Sequence, residues 1–379
     1  NMAIDKIGSA AITDSAVTSA KVASGVLLPN FRNIIINGDM SIAQRGTSST
    51  GVTSGNYYTC DRWYIENTTM GTFTISQSTD VPSGQGFAKS LKFDCTTADA
   101  SPASGDTLGL RQKFEGQNLQ YLKFATSSAE SLTLSFWIKS NKTGTYNVAL
   151  FGQDSASTAQ YFTKAYTISS ADTWEKKTIT YPGNTANGFD NDNARSLDLT
   201  FNFGTGSGNT GGTLQTVWSN YGTSADYYAT QGVNLADNTA NELYITGVQL
   251  EAGTSATDFE FLPFDVNLMR CQRYYYLHNA GMSLDVGVGG YYNGSQIFLN
   301  VQFPTSMRTS PSLEQVTGSA YYSMYRQNTA DDFNSLTLGQ KNENMVSLYN
   351  NSEVSGTAGD AGFVRTNNSS TRVAFGAEL

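Results

Sequence analysis

The chain has 379 residues, 23 basic and 32 acidic side chains and a formal charge of −9, enough for two or three domains with buried cores. Only 15% of residues are charged, yet 12% are aromatic, with 21 Tyr and 20 Phe; this excludes a disordered chain, which lacks such residues. The acidic balance and the singly scattered Lys and Arg exclude nucleic acid as a partner, and no apolar run is long enough to predict membrane insertion.

Residues 2–27 carry a five-residue beat, with Met2, Ile7, Ile12, Val17, Val22 and Leu27 as the large apolar positions. That spacing fits neither the helical period of 3.6 nor the strand period of 2. A repeat unit cannot bury its apolar face alone, so residues 1–29 are expected to form a stalk or docking segment. Ile7, Ile12, Val17, Val22 and Leu27 would pack against copies of themselves or a neighbouring protein; a Ser/Ala-rich linker is the alternative. The segment lacks the basic-then-apolar order of a signal peptide, which sets the expectation that export does not use that route. Release by cell lysis needs no such signal.

From Asn33 onward the strand signal dominates. Leu132–Ile138 alternates with Leu132, Leu134, Phe136 and Ile138 on one face; Leu197–Phe203 and Ile297–Phe303 repeat the pattern. Such alternation marks antiparallel strands with one face in a core. Turn residues separate the runs at Asn141–Gly144, Pro182–Asn184 and Gly204–Gly212. The expected class is therefore all-β: a jelly-roll β-sandwich over 30–264, then a smaller β-sandwich over 279–379. Between them, 265–278 predicts a short connector helix, with Asp265 available as N-cap and Leu268, Cys271 and Tyr275 on one face. Trp63, Trp137 and Trp174 lie in strand-like runs and are assigned to the core.

The chemistry-bearing motifs are few. Three widely spaced cysteines, Cys60, Cys95 and Cys271, give neither a disulfide framework nor a CxxC knuckle and read as buried free thiols. His278 is the sole histidine, which leaves little for a catalytic triad or a zinc site. Gly206–Gly211 matches GxGxxG, but the strand before it is of antiparallel type and no helix pattern follows, so a mobile glycine-rich loop is expected. Asp190–Asn193 lacks the ligand and glycine positions of a calcium loop and reads as an Asx-stabilised turn. No cofactor, metal or catalytic residue is expected.

Aromatic side chains on loops are the remaining candidates, because sugars stack their C–H faces on rings. Trp218, Tyr221, Tyr227 and Tyr228 follow the glycine-rich run; Tyr291, Tyr292, Tyr321, Tyr322 and Tyr325 fall in the second sandwich. The alternative for each is packing in a core or between subunits.

Several segments carry a family likeness: NIIINGDMSIAQRG from Asn33, YYTCDRWYIE at Tyr57–Glu66, LSFWIKS at Leu134–Ser140 and ADTWEKKTITYPG at Ala171–Gly183. YITGVQLEAGTSATDFEFLP and CQRYYY within Tyr244–Tyr276 are the most specific, and VQFPTSMRTSPSL at Val301–Leu313 closes the series. Over roughly residues 30–305 the chain resembles tail-fibre and related virion proteins of tailed bacteriophages. The resemblance implies a jelly roll like that of carbohydrate-binding modules, carried on a homotrimeric fibre at the particle surface and followed by a variable knob. Where such jelly rolls hold a structural calcium, this chain has Ser41 and Thr246–Gly247 in place of the acidic residues. The expected function is non-enzymatic attachment to a host surface glycan or protein, the N-terminal segment joining other virion proteins. The alternatives are a purely structural head-decoration or tail-assembly protein and a glycan-degrading tailspike.

Overall fold

The computed structural model describes residues 31–154 and 158–379; the apolar beat of residues 2–27, including Ile7, Ile12, Val17, Val22 and Leu27, lies outside the described residues. The described chain is all-β, with several antiparallel sheets and little helix. The first strands are β1 Ser48–Tyr57, β2 Tyr64–Ser78, β3 Ser90–Thr97, β4 Thr107–Glu115, β5 Leu132–Ser140 and β6 Gly144–Gly152. There follow β7 Gln160–Ile168, β8 Glu175–Tyr181, β9 Arg195–Thr205, β10 Ser219–Asn220 and β11 Glu242–Ala252.

These strands make a β-sandwich of jelly-roll type, hinged on the long strand β2. Its first part, Tyr64–Asn67, pairs with β4, whereas Thr72–Ser78 pairs with β3. One strand thus belongs to two layers, β10-β7-β6-β9-β4 and β3-β11-β5-β8. The alternating strands explain the packing. Leu134, Phe136 and Ile138 of β5 and Leu199, Phe201 and Phe203 of β9 are fully buried and meet across the sandwich, with Phe136 against Phe201 at 4.9 Å and Phe93 against Phe203 at 5.1 Å. Strand β11, the GVQLE segment, runs between β3 and β5 at the centre of its layer.

Part of the glycine-rich run is closely packed. A Cβ on Gly206 would lie 1.8 Å from the Ala103 carbonyl oxygen, so glycine is there for close approach. A single helical turn, α1 Ser224–Tyr227, follows it. At 190–193 the Asx turn is present, the Ala194 amide donating to Asp192 Oδ1 at 3.0 Å. Cys60, Cys95 and Cys271 are free and buried.

The connector helix is shorter than 265–278. It is α2 Phe264–Gln272, with Pro263 at the N-cap and Asp265 inside the first turn. Tyr275 lies on a strand instead: β12 Tyr275–Ala280 pairs with β21 Arg372–Gly376. The run of three tyrosines has the β-preference that tertiary pairing exploits. The remaining strands are β13 Asp285–Asn293, β14 Gln296–Gln302, β15 Ser312–Gln315, β16 Tyr322–Arg326, β17 Thr329–Phe333, β18 Thr337–Lys341, β19 Met345–Asn350 and β20 Ala361–Thr366. They form a three-stranded sheet, β12-β21-β15, and a seven-stranded one, β17-β16-β20-β13-β14-β19-β18. Val373 and Phe375 of the small sheet share a core with Ile297, Leu299, Tyr322 and Met324 of the large one.

The two sandwiches meet through buried charge. Glu115, fully buried, accepts from both Arg273 Nε (2.8 Å) and Nη2 (2.7 Å) and from the Tyr274 hydroxyl. Arg62, also buried, pairs with Glu378 and lies 3.5 Å over the Tyr274 ring.

Candidate functional site

Strand β13 reads DVGVGGYYN, and its inward side chains are Val286 and Tyr291. Its outward positions are Val288, 77% exposed, then Gly290, then Tyr292, 74% exposed. Cross-strand register extends this outer face on both sides. Val288 is opposite Phe363 of β20, which is opposite Tyr325 of β16. Gly290 is opposite Phe298 of β14, which is opposite Tyr349 of β19. Five neighbouring strands therefore present one aromatic band on the solvent side of the sheet.

The rings form two sets with a gap between. Tyr325 and Phe363 stack at 5.4 Å with planes 11° apart; Phe298 and Tyr349 lie 5.5 Å apart at 36°, with Tyr292 edge-on to Phe298 at 5.8 Å. Strand β13 separates β20 from β14, and Phe363 faces Val288 whereas Phe298 faces Gly290, so the nearest rings of the two sets stand two strand spacings across and two residues along, about 12 Å apart. Gly290 leaves the middle of that gap without a side chain. Arg365 lies 4.8 Å over Phe363 and 5.3 Å over Tyr325, held by Asp285 at 2.8 Å. Half-buried rings beside fixed polar groups can stack on an apolar ligand face while the polar groups orient its hydroxyls.

The nine aromatic candidates divide by burial. Tyr292 and Tyr325 are on this face, though on strands and not on loops. Tyr322, fully buried, and Tyr291 point into the core. Burial, followed by the hydrogen bond to Asp331, pushes the Tyr291 phenol up to about 12. Tyr321 is half-buried against the same core. Tyr227 and Tyr228 are each only 6% exposed, because the segment carrying them lies across Ala149 and Tyr161 on the outside of β6 and β7. They are unavailable to a ligand. Tyr221 remains exposed beside Phe151 and Tyr161. Trp218 packs edge-on to Phe124 and donates its indole N–H to the Pro182 carbonyl at 2.7 Å.

Phe298, Tyr349 and Phe363 did not emerge from the sequence reading. The alternation of Ile297–Phe303 does place Phe298 on the face opposite the core, where a large aromatic is out of pattern. That signal was available for Phe298.

A second aromatic surface lies on the jelly roll. Trp63 is buried, but Trp137 and Trp174 are half-buried on the outer face of their layer, not in the core. Trp137 is paired across to Thr246, and Trp174 donates to Asp80 Oδ1 at 3.0 Å. The neighbouring Tyr244 ring is already covered by two ammonium groups, Lys139 at 4.4 Å and Lys92 at 5.4 Å, and its hydroxyl donates to Glu242 at 2.6 Å. In the C-terminal band Arg365 covers Tyr325 and Phe363 in the same way, whereas among the described residues no cation lies over Phe298 or Tyr349.

His278 is held at both nitrogens, Nδ1 3.0 Å from the Tyr276 hydroxyl and Nε2 2.7 Å from the Val286 carbonyl. Burial lowers its pKa, so it stays neutral and structural. Among the described residues no cluster of three or more His, Cys, Asp or Glu side chains is placed to hold a metal, and no helix is long and apolar enough to cross a membrane.

No family model and no curated protein matches the chain. Solved structures similar to it include the enzymatically active domain of tailspike protein 4 of bacteriophage CBA120, at 13% identity and a TM-score of 0.31 over 58% of this chain. That match spans only 21% of the tailspike domain's own length. A xylan-binding domain from Paenibacillus barcinonensis matches at 16% identity and 0.27, covering 50% of this chain and 91% of the domain. The family 11 carbohydrate-binding module of a cellulosomal cellulase of Clostridium thermocellum matches at 12% and 0.25, covering 54% and 98%.

Proposed function

We propose that this chain is a non-catalytic saccharide-binding protein whose contact surface is the aromatic band of the C-terminal seven-stranded sheet. The observation that carries the reading is the pair of ring sets, Tyr325–Phe363 and Phe298–Tyr349, about 12 Å apart diagonally across a strand with glycine at the gap. A sugar chain laid across the strands would meet a ring set at each end and find Arg365 and Asn300 within the same face. A sole histidine locked in structural hydrogen bonds supports the non-catalytic part.

Screening the protein against immobilised oligosaccharides, then titrating the hits by calorimetry, tests this. Phe363→Ala and Tyr349→Ala should each weaken binding by roughly fivefold, since a ring stacking contact is worth about 1 kcal/mol. Equal affinity in both variants and the parent would remove the band from the reading.

The finer proposal is a homotrimeric fibre protein on the surface of a tailed-phage particle, attaching to a host glycan or protein. Its support is the sequence resemblance and the apolar five-residue beat of residues 2–27. Three weak sites on one rigid body would gain by avidity, because each later contact is intramolecular. Sedimentation analysis should give three copies, and the isolated protein should compete with the particle for cells. A monomer without the ability to compete would sink the fibre proposal while leaving saccharide binding standing.

A further inference from the structure

A cavity of about 730 Å³ lies at the seam between the two sandwiches, and no residue of the aromatic band lines it. Its walls are the β1 end at Asn56–Tyr58, the 308–316 segment, Lys341 and the β21 end through Glu378. Such a volume falls in the range of clefts that take small ligands.

The charge in this cavity is unusual for the chain. Four cations line it, Arg45, Arg308, Arg372 and Lys341, against two carboxylates, Glu314 and Glu378, in a protein whose formal charge is −9. Two of the guanidiniums are fixed by neutral acceptors, which hold the group without cancelling its charge. Arg308 donates to the carbonyls of Ala377 (2.8 Å), Glu378 (2.9 Å) and Asn193 (3.1 Å). Arg372 donates to the carbonyls of Arg45 (2.8 Å) and Gln44 (3.2 Å) and to the Tyr275 hydroxyl at 2.6 Å.

Among the described residues, Glu378 is the one carboxylate of the cavity paired with a guanidinium, and it is shared. Glu378 faces Arg45 at 3.3 Å and also the buried Arg62. Arg45 itself is clamped 3.6 Å over the Tyr275 ring and 5.2 Å from the Tyr57 ring centroid. Lys341 spends one of its three donors on the Pro311 carbonyl at 3.0 Å. The cavity thus offers preset positive charge, at a site where backbone bonds have already absorbed the ordering cost. Around it stand uncharged hydrogen-bonding side chains, Asn56, Thr309, Ser310 and Gln315, suited to a ligand rich in hydroxyls.

We infer that the seam cavity is a binding site for an acidic saccharide, one whose rings carry carboxylate or sulfate groups. The anion sits among Arg45, Arg372 and Lys341, and the sugar hydroxyls meet the polar wall. This site does not depend on the aromatic band, and it would stand if saccharide binding at the band failed.

The test is calorimetric titration of the whole protein with three probes: trigalacturonate, a heparin-derived tetrasaccharide and neutral cellotriose. The carboxylated or the sulfated probe should bind at least tenfold more tightly than cellotriose, and raising the salt should weaken it. Which acidic probe wins identifies the anion. Lys341→Glu and Lys341→Gln should weaken the acidic probe by at least tenfold and about threefold, whereas Phe363→Ala should leave it unchanged. Lys341 is an exposed residue with one hydrogen bond, so an unchanged melting temperature will confirm that both variants fold. Equal binding of acidic and neutral probes, no acidic binding, or full affinity in Lys341→Glu would each overturn the inference.

Discussion

Two buried carboxylates near the seam behave in opposite ways, and the difference lies in their hydrogen bonds. Asp61 is fully buried, and burial raises its pKa to about 6 against the lowering effect of Gln44, whose backbone amide donates at 2.9 Å. Glu115 is equally buried, but the Arg273 and Tyr274 donors outweigh desolvation and hold its pKa below the ordinary value. The signs of linkage follow. An acid with a raised folded pKa contributes stability that is present below its unfolded pKa and lost as pH rises through the folded one. Asp61 should therefore cost stability between about pH 4 and pH 6, up to about 3 kcal/mol for a two-unit shift. Glu115 acts the other way: its contribution is full above its unfolded pKa and disappears as pH falls toward the depressed folded value. Urea unfolding from pH 3.5 to 7 checks both at once. Asp61→Asn should flatten the fall in stability across that window. Glu115→Gln should lose about 3 kcal/mol at pH 7, the scale for breaking a buried pair, with the loss shrinking toward acid. An unchanged pH profile in Asp61→Asn would show that Asp61 titrates alike in the folded and unfolded protein.

At the scale of elements, β13 is where glycine matters most. A Cβ on Gly289 would stand 2.0 Å from the Phe298 carbonyl oxygen, so β13 and β14 approach each other only because that side chain is missing. Gly289→Ala should destabilise the protein by about 1–3 kcal/mol, as overpacking does. Val288→Lys, one residue away but 77% exposed, should change stability by less than about 0.5 kcal/mol. Thermal unfolding of the two variants side by side decides whether close approach or mere position on β13 is responsible. Strands such as β5, β9 and β14 were legible in the sequence because their apolar and polar residues alternate, although β9 is buried on both faces. What alternation cannot carry is tertiary cover. Nothing local distinguishes Tyr227 and Tyr228, closed over β6 and β7, from Tyr292, open to solvent. The helix limit failed for the same reason: Tyr275 fits a helical face on spacing, and pairing with Gly376 makes it a strand residue. The aromatic band was half legible, since Phe298 breaks its strand's polar face, while Phe363 and Tyr349 become neighbours only through register across five strands.

At the scale of the whole molecule, the question is whether two sandwiches with separate cores act as one body. Their cores are distinct, so coupling must come from the seam. There Arg62, 1% exposed, reaches from the jelly roll to Glu378, and Arg62 Nη2 also donates to the Lys113 carbonyl at 2.6 Å. Desolvation works to lower the Arg62 pKa, yet Glu378 holds it above the ordinary value, so the cation stays charged where water cannot reach it. Removing the carboxylate would leave that charge buried with carbonyl and ring contacts alone, a loss of about 3–5 kcal/mol by the behaviour of other buried pairs. Because the cost falls on the contact between the sandwiches, Glu378→Gln should uncouple them as well as weaken them. The tryptophans make this measurable: all four, Trp63, Trp137, Trp174 and Trp218, lie in the jelly roll, so fluorescence reports that sandwich alone while circular dichroism reports both. In the parent protein the two signals should give one coincident transition, the mark of cooperative unfolding. In Glu378→Gln they should separate, with part of the dichroism change falling outside the fluorescence transition. Coincident curves in the variant would place the coupling elsewhere, with the Arg273–Glu115 pair as the next contact to break. Separate curves already in the parent would mean that the seam joins the sandwiches without making them fold as one.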